Sequence, residues 1–206
     1  MNRQSAGLGL LLLALSATKA SAHHVMGGRM PATFMDGFLS GLGHPIIGID
    51  HLAAVVAVGC LAATHKAAPT LVIGFIAAMM AGVALHLHGA SLPAAELLVA
   101  ITVVALGALL VRHRQIPTGP LVTLFALVGF VHGYALGESI YGAEPTPIFA
   151  YLTGLAVVQS AIALVVVKIA RGFAGASATL SPLQLVGAGI AGVGLAVLVQ
   201  QVVPTA

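Results

Sequence analysis

The sequence predicts an all-α fold, a polytopic membrane helix bundle of six transmembrane helices behind a cleaved signal peptide. Three observations carry that expectation. Of 206 residues 59% are hydrophobic and 6% charged, with a mean hydropathy of +1.09, whereas soluble domains carry about 25% charged residues. Beyond the N-terminus, six stretches each supply about 20 apolar residues, the length over which a helix satisfies its own backbone across the hydrocarbon core. The N-terminus itself pairs a basic residue with an apolar run and a small-residue cleavage site.

Residues 1–22 read as the signal peptide. Arg3 precedes the apolar run from Leu8 to Leu15, and Ala20, Ser21 and Ala22 are the small residues a signal peptidase needs. Cleavage there leaves a mature chain that begins His23-His24, with 23–43 expected as a periplasmic segment. The transmembrane domain then occupies 44–206, with spans at 44–64, 69–89, 92–111, 117–137, 147–168 and 182–203. Pro69, Pro93, Pro117, Pro147 and Pro182 each stand near a span start, where a missing N–H does least harm.

Charge sets the orientation, because cytoplasmic loops collect Lys and Arg. Lys66, then Arg112 and Arg114, then Lys168 and Arg171 fall in inner loops, while the outer segments hold Arg29 with Asp36, Glu138 and Glu144. The expected location is therefore a bacterial inner membrane, with both mature termini periplasmic. Gly37 and Gly41, Gly187 and Ala191, and Ala188 and Gly192 stand four apart, a spacing that lets helices approach closely.

Several function classes drop out. The pI of about 9.4 arises from eight scattered Lys and Arg residues rather than a basic patch, so no nucleic-acid partner is expected. Cys60 stands alone, which excludes an internal disulfide and any CxxC motif. No P-loop, HExxH or GxSxG segment is present, and the chain is not expected to be an enzyme.

Histidine is the residue out of proportion, with nine. Ionisable side chains inside a membrane are costly and read as functional candidates. On the expected topology His44 and His51 lie at the outer end of span one, His86 and His88 at that of span two, Glu96 at that of span three, and His132 and Glu138 at that of span four. With His23 and His24, seven of the nine histidines fall on the periplasmic side. His44 and His51 share a face of a regular helix, since seven residues turn through roughly 700° and rise about 10 Å. That separation suits two stops on a path better than one chelate, unless Pro45 or Gly48 distorts the helix. Asp50 either ligates from a neighbouring face or orients an imidazole. Imidazole with carboxylate suits nickel, cobalt and zinc. Other polar residues take plainer readings: His65 and His113 as interfacial groups, Asp36 and Glu144 as loop acids, Cys60 and Met79-Met80 as packing.

These residues resemble a known family. The histidine-bearing start after a signal peptide, the segment HPIIGIDHLAAVVAVG, SLPAAE at 91–96 and FVHGYALGE at 130–138 are similar to the HupE/UreJ family of membrane proteins, associated with hydrogenase and urease maturation and regarded as nickel or cobalt permeases. The resemblance implies that His44, Asp50 and His51 line a metal path on span one and that Glu96, His132 and Glu138 contribute from spans three and four. It also implies a link to metalloenzyme maturation machinery. Leu136 stands where the family commonly has a further histidine, while His86 and His88 are additions to its usual pattern.

The expected function is import of a divalent transition-metal ion, Ni2+ or Co2+, with no tightly bound cofactor and the lipid bilayer as surroundings. His23, His24, His86 and His88 are the expected capture residues. The alternatives are a membrane haem protein, with His51 and His132 as axial ligands, and a metal-binding accessory subunit that does not transport.

Overall fold

The computed structural model describes residues 29–112, 115–173 and 181–203. The expected signal peptide, His23, His24 and His113 lie outside them. Among the described residues seven helices follow in order: α1 (Phe34–Ile47), α2 (Ile49–Ala62), α3 (Ala68–Leu87), α4 (Ala95–Arg112), α5 (Thr118–Gly137), α6 (Pro145–Gly172) and α7 (Pro182–Val202), with a 3-10 turn at Glu138–Ile140. The helices α3, α4, α6 and α7, and α5 with its 3-10 turn, are each long and apolar enough to cross a membrane, and α1 with α2 makes a sixth if the bent pair is one span.

The first expected span differs from a regular helix over 44–64. Helix starts ten residues earlier, at Phe34, and breaks at Gly48, where the axis bends by 78°. Thr33 and Asp36 explain the early start. They form a reciprocal capping box that satisfies backbone N–H groups at both ends of the first turn, so Asp36 is a helix cap rather than the loop acid expected. The break follows from Pro45, which offers no N–H to the ladder, and from Gly48, whose extended backbone (φ −73°, ψ 96°) ends α1 and starts α2. Hydropathy is blind to this break because the residues on both sides are apolar.

The other starts follow their prolines. Pro lies in the first two positions of α3, α6 and α7, and Pro117 precedes α5. Ser181 and Gln184 form a second capping box at α7. At the C-terminal end of α6 Arg171 donates to the carbonyls of Ala63 and His65, which lie beyond the last turn of α2 (3.3 and 2.8 Å).

Packing is by pairs, α1 on α6, α3 on α5 and α4 on α7, around α2, which touches every helix except α5 extensively. Glycine sits at each pair's crossing. Gly41 lies against the Tyr151 carbonyl and Gly154 against that of Phe38; Gly82 and Gly133 do the same for Phe130 and Met79, and Gly107 packs on Gly187 and Ala191. A Cβ at any of these would collide with backbone. Gly37, Gly41, Gly187 and Ala191 thus serve as their spacing suggested, whereas Ala188 and Gly192 do not, since Ala188 is exposed and Gly192 faces open space. Large apolar residues such as Ile73, Leu127, Phe149 and Val165 cover the outside of the bundle, as lipid contact demands.

Candidate metal centre

The break in the first span builds the site. Had α1 and α2 been one helix, His44 and His51 would stand about 10 Å apart along its axis. The 78° bend folds one half back toward the other, and their ring centroids are 6.0 Å apart, edge to face. Gly48 at the elbow is required for a steric reason: a Cβ there would lie 2.9 Å from His51 Cδ2 and 3.3 Å from Asp50 Oδ1. Asp50 occupies the first turn of α2, and its Oδ1 accepts from the His51 N–H at 2.8 Å. A carboxylate there also faces the positive end of the helix dipole.

His132 completes the cluster from α5. Its Nδ1 lies 3.0 Å from Nδ1 of His51, and its Nε2 lies 2.9 Å from Thr102 Oγ1 of α4. Donor counting assigns the protons along this chain. The Thr102 hydroxyl has one hydrogen, which it donates to the Val99 carbonyl at 2.7 Å, so toward His132 it accepts. His132 therefore carries its proton on Nε2, and as a neutral ring it presents a bare Nδ1. His51 must then donate from Nδ1, which leaves the lone pair of a neutral His51 on Nε2. That nitrogen is bonded to Cδ2, the atom that the absent Cβ of Gly48 leaves room for. Tyr151 of α6 lies edge-on to His44 (centroids 6.3 Å apart) and is held by donating to the Leu136 carbonyl at 2.8 Å.

Four of the sequence-selected residues are thus brought together and buried: His44, Asp50, His51 and His132. The two glutamates are not. Glu96, half-buried, and Glu138, exposed, line a separate cleft of about 420 Å3 with Tyr134 and Gln201. His86 packs between Tyr134 and Tyr141 (centroids 4.6 and 5.4 Å) with its Nδ1 unpartnered, and His88 is exposed at the end of α3. Among the described residues no three His, Cys, Asp or Glu side chains converge closely enough to hold one ion. His65 is bonded to Thr64 and to the Ile116 carbonyl.

Two site residues escaped the sequence reading. Thr102 and Tyr151 are ordinary residues in apolar helices, and only the meeting of α4, α5 and α6 gives them their partners. A hydroxyl within a span was the available signal. Leu136, the departure in the 130–138 segment, is fully buried apolar packing, and its carbonyl holds Tyr151. The haem alternative loses its geometry here, because His51 and His132 are in direct contact and leave no space for a macrocycle between them.

The family model described as HupE / UreJ protein matches residues 11–197. Protein HupE of Rhizobium leguminosarum bv. viciae is 38% identical over 104 residues, which is 50% of this chain and 54% of that protein. The match therefore spans about half the length of the curated relative. No solved structure matches.

Proposed function

The chain belongs to the HupE/UreJ family, and from that premise we propose that it is an inner-membrane permease that carries a divalent transition-metal ion, nickel or cobalt, inward past His44, Asp50, His51 and His132. The observation that carries the reading is the buried imidazole pair, Nδ1 to Nδ1 at 3.0 Å, across helices that otherwise present apolar surfaces. Neutral imidazole nitrogens are ligands for these ions, and a carboxylate beside them offsets charge.

The same pair bears on why no three of the described His, Cys, Asp or Glu side chains converge. Each of the two imidazoles occupies the other's Nδ1 lone pair or proton, so the pair is closed on that side. An entering cation meets the His51 Nε2 lone pair beside Gly48 first, and as the pair opens it takes the bare Nδ1 of His132, while His51 keeps its proton on Nδ1. Asp50, tied to the start of α2, supplies negative charge close by without leaving its helix. The bend at Gly48 lets α1 move against α2 while both helices keep their own ladders.

Glu96 and Glu138 act earlier, concentrating cations at the outer cleft, with His86 and His88 as neighbouring capture groups. No nucleotide-binding motif is present, and an inside-negative potential supplies about 4.6 kcal/mol per 100 mV to a divalent ion moving inward. The ion's use in hydrogenase or urease maturation is the setting that family membership suggests.

The test is radiolabelled nickel and cobalt uptake into proteoliposomes holding the purified protein, under an imposed inside-negative potential. Potential-dependent uptake by the wild type that is lost in His51→Ala supports a permease working through this cluster. Metal binding without flux above empty liposomes rejects transport and leaves a binding accessory subunit.

A further inference from the structure

Among the described residues the buried polar side chains are Ser40, His44, Asp50, His51, His132 and Gln159. Five belong to the outer cluster or the α1 turn just before it. Gln159 stands apart, at the midpoint of the 28-residue α6, fully buried, with neither Oε1 nor Nε2 hydrogen-bonded. A primary amide buried without a protein hydrogen-bond partner in the core of a membrane bundle is unfavourable, and leucine or methionine would fill the same volume without that penalty.

Its place in the fold gives it a use. Tyr151, Leu155, Gln159 and Ala163 follow at four-residue intervals along one buried face of α6. Tyr151 packs on His44, and Gln159 lies about 12 Å further along the axis, toward the inner end. One turn beyond it, Ala163 meets Gly59 of α2, the helix whose outer end carries Asp50 and His51. Gln159 is therefore the next polar group inward from the histidine cluster along the seam between α2 and α6.

Resting on the permease reading, we infer that Gln159 is a transit site for a partly hydrated divalent cation, the stop between the histidine cluster and the cytoplasmic end. An amide oxygen is a neutral, hard donor. It replaces part of an ion's hydration without the affinity of an imidazole nitrogen, so the ion is received and released. The amide N–H groups hold the waters that travel with it.

Two variants and two readouts test this. In Gln159→Leu, nickel binding to the purified protein stays within about twofold of wild type and thermal stability is equal or higher, while initial uptake into proteoliposomes falls by at least about tenfold. In Gln159→Glu the added charge converts the weak stop into a retaining one, so equilibrium dialysis against nickel finds one additional bound ion per chain. Wild-type uptake in Gln159→Leu, or unchanged nickel stoichiometry in Gln159→Glu, overturns the assignment. Absence of flux in the wild type rejects the permease reading itself, and the stoichiometry of Gln159→Glu then still decides whether this position holds an ion.

Discussion

The buried histidine cluster and the open glutamate cleft contain similar chemistry in opposite surroundings. In the cluster, His51 and His132 are withdrawn from solvent, hydrogen-bonded to one another and indexed by Thr102 and Asp50. In the cleft, Glu96 and Glu138 stand near an open mouth beside Tyr134 and Gln201. A shielded, pre-oriented group acts strongly on an ion because little water competes with it. A solvated carboxylate acts mainly through a field that salt screens. On the proposed permease reading, the cluster selects the ion and the cleft gathers it.

Substitutions that break this contrast are ranked by how directly they touch the cluster. The largest effect is expected from His51→Ala, which removes a ligand and strands His132: nickel uptake falls by more than the roughly 100-fold that loss of an orienting partner produces. A residual rate within tenfold of wild type would move the selective site elsewhere. Thr102→Val comes next. It deletes the acceptor that holds the His132 proton on Nε2, and metal affinity drops by about 10- to 100-fold, with Thr102→Ser restoring most of it. Isothermal titration of all three proteins checks the order, and failure of serine to rescue would mean that Thr102 acts by packing alone.

Gly48→Ala sharpens the comparison from the side of the fold. The added methyl meets His51 Cδ2 and Asp50 Oδ1, and the expected cost is about 1–3 kcal/mol of stability, as for other overpacked sites, with uptake reduced alongside. Thermal melting in detergent reads the first quantity. Gly192→Ala, which meets nothing, serves as the silent control. The smallest effect belongs to the cleft: Glu138→Gln lowers uptake by about threefold at low ionic strength and by nothing measurable at high salt. An effect of Glu138→Gln that persists undiminished in high salt would make Glu138 a ligand in its own right.

Much of the fold was legible in sequence because the bilayer imposes a length rule on apolar segments. The helices at 68–87, 118–137 and 182–202 fall within a residue or two of the expected spans, and their prolines mark the starts. Less of the site was legible. His44, Asp50, His51 and His132 stand out as costly groups in apolar runs, and they do assemble. Glu96 and Glu138 stand out for the same reason and yet remain apart, because the ends of α4 and α5 open onto the cleft rather than the core. Thr102, Tyr151 and Gln159 carry no comparable signal, since Thr, Tyr and Gln occur in membrane helices as simple packing or hydrogen-bonding residues.

By itself, then, the sequence determined the helical class, the approximate spans and a set of six candidate ligands, two more than the fold brings together, because hydropathy and ionisable groups are local properties that a single chain displays in order. Only the tertiary structure decided that residues 34–62 form two helices, that their 78° bend brings His44 to His51, and that His132 meets His51 with its tautomer set from α4. The physical reason is that a break between two apolar segments leaves hydropathy unchanged, and a hydrogen bond between residues 81 apart is fixed by how helices pack rather than by what either helix contains.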